Sequence, residues 1–195
     1  MQQVAIVTGA AGVVGQTLSR VLGEAGYSLM LVDLQQPPWE GETDAVTIGN
    51  VDLTRPDHAQ EVVEQTLQYF GQLDAVVNLA ESREIETTTH MTQAALAHFQ
   101  SNASGVLVSV ATQEARQKTV LALMQTVAAE NRALGIRANA LLPSALDTPA
   151  NRSNMPDQNP ADWVSAQSLA EIVVFLLSNV ARNITGLGFS VTGRV

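Results

Sequence analysis

Residues 4–15 read Val-Ala-Ile-Val-Thr-Gly-Ala-Ala-Gly-Val-Val-Gly, and the rest of the chain is organised around this stretch. A short β-branched run ends in three glycines spaced three apart, and an amphipathic segment follows at once. This order predicts a strand, a tight glycine turn and a helix. Glycines allow positive φ and close approach of a phosphate, and a helix N-terminus offers free N–H groups to an anion. The stretch therefore predicts a phosphate-binding turn, although the same glycines would also allow plain close packing of helix on sheet.

Composition limits the classes of protein that the chain can belong to. Its 195 residues predict one domain over 1–195, and the net charge of −9 argues against nucleic-acid binding. The absence of cysteine excludes disulfides, thiolate metal sites and cysteine nucleophiles. No apolar run is long enough to cross a bilayer, and the first strand begins too early for a signal peptide. We therefore expect a soluble, cytoplasmic protein with no membrane partner.

Strand-like and helix-like segments alternate along the whole chain, which predicts an α/β fold: a doubly wound parallel sheet of about seven strands flanked by helices. Thr54 is the expected N-cap of a helix that ends at Phe70, and the longest helix is expected over 113–134. The polar stretch 144–162 is the only candidate for a mobile lid. The expected strands cover 4–8, 28–32, 45–48, 73–78, 105–110, 136–142 and 188–192.

Ordered motifs along the chain carry a family resemblance. They are Thr8-Gly9…Gly15, Asn78-Leu79-Ala80-Glu81, Thr92-Gln93-Ala94-Ala95-Leu96, Gly135-Ile136-Arg137-Ala138-Asn139-Ala140, Pro143-Ser144…Thr148 and Ile184-Thr185-Gly186. Together they resemble the short-chain dehydrogenase/reductase superfamily over essentially the whole chain, which implies a three-layer Rossmann-type domain. The run 146–156, with Trp163 beyond it, resembles the dihydropteridine-reductase-like branch.

The resemblance implies a nicotinamide dinucleotide site. A carboxylate at the end of the second strand, Asp33, accepts hydrogen bonds from a ribose diol and repels the extra phosphate of NADP, which favours NAD(H). By resemblance, Asp52 faces the adenine amino group. Val13 stands where many members have glycine, so we expect it to narrow the approach to the pyrophosphate. The predicted cofactor-binding residues are Gly9, Gly12, Val14, Gly15, Asp33, Asp52, Leu53, Asn78, Ala80, Pro143 and Thr148.

Several of these assignments have simpler alternatives. Asn78 and Ala80 are expected to line the cofactor through their backbone, or else to form an ordinary turn after the strand. Pro143 is expected against the nicotinamide and Thr148 on its carboxamide, but both could equally be plain loop residues.

The superfamily's chemistry needs Asn, Ser, Tyr and Lys, with the Tyr moving a proton and the Lys lowering its pKa. Alignment on the Gly-Ile-Arg run puts the Tyr position on Gln113 and the Lys position on Gln117. A one-residue gap moves these positions to Glu114 and Lys118. The Ser position falls at Ala111 or Thr112, and the Asn position falls near Glu84.

No tyrosine stands in for the missing one, because Tyr27 and Tyr69 are expected far from the nicotinamide end. Loops are expected to be shortened between Ala80 and Thr92 and directly after Thr112. The resemblance therefore implies a degenerate catalytic tetrad, with no catalytic residue to assign. A cluster of charged residues near this region would supply a substitute acid or would simply be a solvated face. Its members are Glu81, Glu84, Glu86, His90, Glu114 and Lys118.

No pair of histidines has metal-ligand spacing, so no metal site is predicted. The first functional hypothesis is an NAD(H)-binding protein that has lost the reductase chemistry. The alternatives are an NAD(P)(H)-dependent oxidoreductase with non-standard acid–base residues acting on a carbonyl, quinonoid or pterin-like small molecule, and an interaction protein without nucleotide. We also expect a homo-oligomer, paired through the helices near 90–101 and 113–134.

Overall fold

The computed structural model describes residues 2–79 and 84–193, with only the backbone course given for Glu84. Within these residues the strands are β1 (Val4–Thr8), β2 (Ser28–Val32), β3 (Ala45–Ile48), β4 (Ala75–Asn78), β5 (Gly105–Val110), β6 (Ile136–Pro143) and β7 (Gly188–Val191). All pairs are parallel, in the order β3-β2-β1-β4-β5-β6-β7. The predicted doubly wound α/β sheet is confirmed.

Helices cover both faces of the sheet, which explains why the central strands are apolar almost without interruption. The helices are α1 (Val13–Glu24), α2 (Pro56–Phe70), α3 (Glu84–Asn102), α4 (Glu114–Asn131), α5 (Pro149–Asn154) and α6 (Ala166–Leu177). The side chains of α1 and α6 pack on one face, and those of α2, α3 and α4 pack on the other. No helix in the described part of the chain is both long and apolar enough to span a membrane.

Two local predictions were wrong. The N-cap of α2 is Arg55, not Thr54, because the N–H and hydroxyl of Thr54 both donate to Asp52 Oδ1, at 3.0 and 2.6 Å. The helix expected over 113–134 runs from Glu114 to Asn131 and continues as a 3-10 turn over Arg132–Leu134, but with 18 residues it is not the longest helix, because α3 has 19.

The stretch expected to be a lid contains the short helix α5 and is tied back on itself. Leu146 and Val164 form an isolated parallel bridge, and the Asp147 N–H donates to the Val164 carbonyl at 2.9 Å. The Asn151 side chain donates to the Leu146 carbonyl at 2.8 Å. These bonds anchor the segment beside the end of β6.

Candidate functional site

A cavity of about 610 Å³ opens where the strand order reverses, between β1 and β4. In open α/β sheets, the crevice at the carboxyl ends of the strands at this point is where ligands bind. The described residues that line it are Gly9, Ala11, Gly12, Val14, Gly15, Asp33, Leu34, Gln35, Val51, Asp52, Leu53, Thr54, Leu79, Thr87 and Thr112. Seven of the predicted cofactor-binding residues are therefore brought together around one cavity.

The three glycines of the turn differ in whether the fold would accept a side chain in their place. Gly9 has φ +67°, and a Cβ there would lie 2.9 Å from the Leu79 carbonyl oxygen. A Cβ on Gly15 would overlap the Gly9 carbonyl oxygen. Gly12 has φ −70°, which any residue adopts, and a Cβ there would meet the Gly9 oxygen only at an ordinary 3.5 Å. Packing requires Gly9 and Gly15, whereas the fold would accept a side chain at Gly12, which lines the cavity.

The N-terminus of α1 opens into the same cavity. Gly12 is its N-cap, provides no side-chain cap, and no acidic residue lies in the first turn. The first N–H groups of a helix have no acceptor within the helix, and they carry a partial positive charge. This end of α1 therefore presents a partial positive charge to the cavity, which is favourable for an anion.

Asp33 lies at the end of β2, and its carboxylate is held by two backbone amides. Its Oδ2 accepts from the Ala11 N–H at 3.0 Å, and its Oδ1 accepts from the Gln35 N–H at 3.3 Å. Each carboxylate oxygen can accept a further bond. No lysine or arginine is among the described lining residues, so the charge of Asp33 is not neutralised by a cation in the cavity.

Two histidines hold the backbone of the loop that carries Asp52. The Asp52 N–H donates to His58 Nδ1 at 3.2 Å, and His90 Nδ1 donates to the Leu53 carbonyl at 3.0 Å. His90 was one of the candidates for a substitute acid, and in the fold it contacts this loop. Among the described residues, no three His, Cys, Asp or Glu side chains lie close enough to hold a metal ion.

On the opposite side of the cavity lie the residues that the sequence places at the Lys, Tyr and Ser positions. Gln117, at the predicted Lys position, donates from Nε2 to the Ala111 carbonyl at 3.3 Å and to the Pro143 carbonyl at 3.0 Å. Its amide thus joins the carboxyl ends of β5 and β6. Gln113, at the predicted Tyr position, is exposed and is the N-cap of α4. Thr112 is half-buried and lines the cavity.

Three predicted residues lie elsewhere. Asn78 is buried, and its side chain donates to Ser109 Oγ at 3.3 Å. The Thr148 hydroxyl accepts from the Asn151 N–H at 3.2 Å and so caps α5, and Pro143 accepts from Gln117. None of the three is among the residues that line the cavity.

Some predictions fall on residues that are not described. Ala80 and Glu81 lie outside the described residues, as does the side chain of Glu84. Both tyrosines lie away from the cavity, at the edge of the sheet where the strands begin. Tyr27 is buried just before β2, and Tyr69 is exposed near the end of α2.

Several lining residues were missed, and one expectation was wrong. Leu34 and Gln35 directly follow Asp33, and Leu79 follows Asn78. Their position next to predicted site residues was the one feature of the sequence that could have identified them. The predicted narrowing by Val13 is not found, because Val13 is 46% exposed and is not among the described lining residues, which include Val14 instead. The remaining missed residues are Ala11, Val51, Thr54 and Thr87.

A family model now identifies the chain. The model of the NAD dependent epimerase/dehydratase family matches residues 5–142. The chain belongs to this family, and with it to the short-chain dehydrogenase/reductase superfamily that its sequence resembles.

Similar proteins cover nearly the whole chain. An uncharacterized oxidoreductase of Mycobacterium tuberculosis is 27% identical over 238 residues, covering 98% of this chain and 96% of the relative. Because this alignment is longer than the chain of 195 residues, the relative has segments that are absent here.

Solved structures share the fold. NAD+-bound xylitol dehydrogenase superposes with a TM-score of 0.84 at 17% identity, covering 98% of each chain. The 3-ketoacyl-(acyl-carrier-protein) reductase of Brucella melitensis, complexed with NADH, superposes with a TM-score of 0.80 at 24% identity, covering 97% of this chain and 96% of the reductase. The fold is therefore that of dinucleotide-binding oxidoreductases.

Proposed function

We propose that this protein binds NAD(H) in the cavity between β1 and β4 and does not perform the superfamily's Ser-Tyr-Lys reductase chemistry. The observation that carries the proposal is Gly12, because the fold does not need a glycine there but a diphosphate next to α1 does. Bound NAD(H) supplies hydride chemistry, so activity depends on whether the chain can move a proton to or from a substrate.

Asp33 supports NAD(H) over NADP(H). Its carboxylate oxygens keep acceptor capacity beyond their bonds to Ala11 and Gln35. A ribose diol would donate to these oxygens, whereas a 2′-phosphate would meet a carboxylate without a compensating cation among the described lining residues.

The glutamines support the absence of reductase chemistry. A neutral amide neither releases a proton nor becomes a base at neutral pH. In addition, the Gln117 Nε2 group already donates to two strand-end carbonyls, and Gln113 is exposed at the start of α4. Nothing in this arrangement resembles a Tyr–Lys pair.

Two measurements on the purified chain test the proposal. NADH binding is followed by its fluorescence, and NADH oxidation is followed with a panel of carbonyls, quinones and a quinonoid pterin. We expect saturable binding and no turnover above the rate without protein. Absence of binding at millimolar NAD(H) contradicts the proposal, and so does turnover that Asp33→Arg abolishes.

An NAD(P)(H)-dependent oxidoreductase with non-standard acid–base residues is the second candidate. The observation in its favour is that Thr112, which stands at the predicted Ser position, is among the lining residues of the cavity, and a threonine hydroxyl is the kind of group that orients a substrate oxygen. The known proteins that resemble the chain include a dehydrogenase and a reductase. A carbonyl, quinonoid or pterin-like acceptor would suit this candidate, and the same turnover panel decides it.

Self-association is a further part of the proposal. The outer side of α4 carries exposed alanines at a spacing of seven residues, Ala115, Ala122 and Ala129, which would let a second helix approach closely. The predicted pairing through the helices near 90–101 and 113–134 is tested by analytical ultracentrifugation, and a monomer at micromolar concentration contradicts it. The cytoplasmic location stays a prediction.

A further inference from the structure

We propose that His58 is a positioning residue for the cavity, and that its protonation in acid releases the loop of residues 51–54 and weakens ligand binding. The inference rests on the proposed function, because this loop lines the same cavity. It goes beyond that proposal by giving a role to a histidine that is not among the described lining residues, and by making the affinity of the site depend on pH.

Residues 51–54 form one continuous wall of the cavity. They lie between the end of β3 and the start of α2, outside any strand or helix. The chain enters this stretch through Asn50, which has a φ of +61°, and the Val51 N–H donates to the Asp33 carbonyl at 3.1 Å. The position of this wall therefore depends on the hydrogen bonds that its backbone makes with neighbouring elements.

The two histidines that hold this loop need opposite protonation states at Nδ1. Because the Asp52 N–H can only donate, His58 Nδ1, at 3.2 Å from it, accepts with its lone pair and carries no proton. Because the Leu53 carbonyl can only accept, His90 Nδ1, at 3.0 Å from it, carries a proton. A second proton on His90 goes to Nε2 and leaves its bond in place. A second proton on His58 goes to Nδ1, where it removes the acceptor and sets two N–H groups against each other.

Charged groups near His58 act against the hydrogen bond from the loop. The Asp57 carboxylate is close enough to interact electrostatically with the His58 ring, and it also pairs with Arg55 at 2.6 Å. A neighbouring carboxylate stabilises an imidazolium, whereas the Asp52 N–H requires the neutral ring. The charged and titratable neighbours are Asp52 in the loop, Arg55, Asp57 and Glu61 near the start of α2, and His90 on α3. In acid the imidazolium therefore keeps a favourable charge contact while the loop loses its bond.

Isothermal titration calorimetry of the full chain with NAD+ at pH 7.5 and pH 5.5 tests the inference. Histidine side chains change charge within this range, and binding that requires a form populated to about a tenth is weakened about tenfold. We therefore expect NAD+ to bind about tenfold more weakly at pH 5.5. In His58→Asn the amide oxygen replaces Nδ1 as acceptor without titrating, so its affinities at the two pH values should agree within about twofold. The matched control is His98→Asn, at a histidine outside the described lining that contacts Asn102, and it should keep the tenfold loss.

The outcomes separate this inference from the proposed function. Equal NAD+ affinity of the unmodified chain at the two pH values overturns the inference, and so does a full acid loss in His58→Asn, while NAD(H) binding stands in both cases. NMR of the ligand-free chain reports on His58 without any substitution. We expect a proton on Nε2 and none on Nδ1 at pH 7.5, and an Asp52 amide signal that shifts as the ring titrates. A proton on Nδ1 at pH 7.5 overturns the inference. If NAD+ binds at neither pH, the proposed function fails, whereas the NMR titration still decides whether His58 holds the loop.

Discussion

At the end of β2 the carboxylate of Asp33 faces a cavity, whereas beyond the end of β5 the amide of Gln117 ties two strands together. Both side chains lie at the carboxyl edge of the same sheet, on opposite sides of the point where the strand order reverses. Asp33 bonds to the protein only through backbone amides and keeps acceptor capacity for a ligand. The Nε2 group of Gln117 has its hydrogen bonds within the fold.

The contrast is between a side chain that keeps acceptor capacity for a ligand and a side chain whose donors join two strand ends. Catalytic groups in this superfamily need protons to transfer, and a glutamine provides none. The same amide is well suited to join strand ends, because it donates two hydrogen bonds. The predictions below test whether the two sides are as separate as this contrast implies, from the largest expected effect to the smallest.

Gly12→Asp should remove nucleotide binding while leaving the fold intact. The new carboxylate would occupy the position next to α1 that a diphosphate needs, so we expect NADH affinity to fall by about a hundredfold or more. An aspartate is a favourable N-cap, so the melting temperature should be unchanged or slightly raised.

The matched control for Gly12→Asp is Ser165→Asp, which adds the same charge at the N-cap of α6, outside the residues that line the cavity. It should bind NADH as the unmodified chain does. If both variants bind equally well, the N-terminus of α1 does not hold the diphosphate.

Asp33→Asn should weaken NAD(H) binding by about tenfold, because hydrogen bonds from a ribose to a charged carboxylate are worth more than bonds to a neutral amide. Asp44→Asn, an exposed aspartate just before β3, makes the same chemical change at the other edge of the sheet. Titration calorimetry compares the two variants. If both variants bind NAD(H) with equal affinity, Asp33 stabilises the glycine turn through Ala11 but does not bind the ribose.

Gln117→Leu should lower the stability of the fold by about 1–2 kcal/mol, because two strand-end carbonyls lose their donor. We expect less than a twofold change in NADH affinity. Gln125→Leu, at an exposed position of the same helix, should leave both quantities unchanged. Urea unfolding measures the stability, and a large loss of affinity in Gln117→Leu would mean that the two sides of the cleft are coupled.

Replacement of Asp147 should have the smallest effect of the four changes, and it should alter only the stability of the fold. The hydrogen bond and charge of Arg152 hold the pKa of this carboxyl below its ordinary value of 3.8. A lowered pKa stabilises the folded state above that ordinary value, and the contribution is lost as the pH falls through the folded-state pKa. Asp147→Asn should therefore melt slightly earlier than the unmodified chain at pH 7 and match it near pH 2. A change in NADH affinity in this variant would contradict a purely structural role for the ion pair between Asp147 and Arg152.

The sequence predicted those features whose cause is local. A β-branched run followed by glycines is enough to place β1, the turn and α1, and a buried run that ends in Asp33 is enough to place β2. The short helix α5 was missed although Thr148 and Pro149 form an N-cap followed by proline, which is a recognisable helix start.

Contacts between distant segments were beyond sequence reasoning. Gln117 meets the Pro143 carbonyl only because β5 and β6 pair in a particular register and α4 packs across their ends. His90, on α3, likewise reaches the Leu53 carbonyl only because the fold brings α3 next to the loop after β3. In both cases the side chain's partner is a backbone carbonyl, which carries no residue-specific signal in the sequence.

The bond from the Ala11 N–H to Asp33 makes a single backbone proton a reporter for the cleft. We expect its exchange with solvent deuterium to proceed through a local opening of the turn rather than through global unfolding. A ribose that binds Asp33 would hold the carboxylate in place and slow that exchange. Neither tryptophan lies among the described lining residues, so this proton would register ligand occupancy where intrinsic fluorescence has no probe.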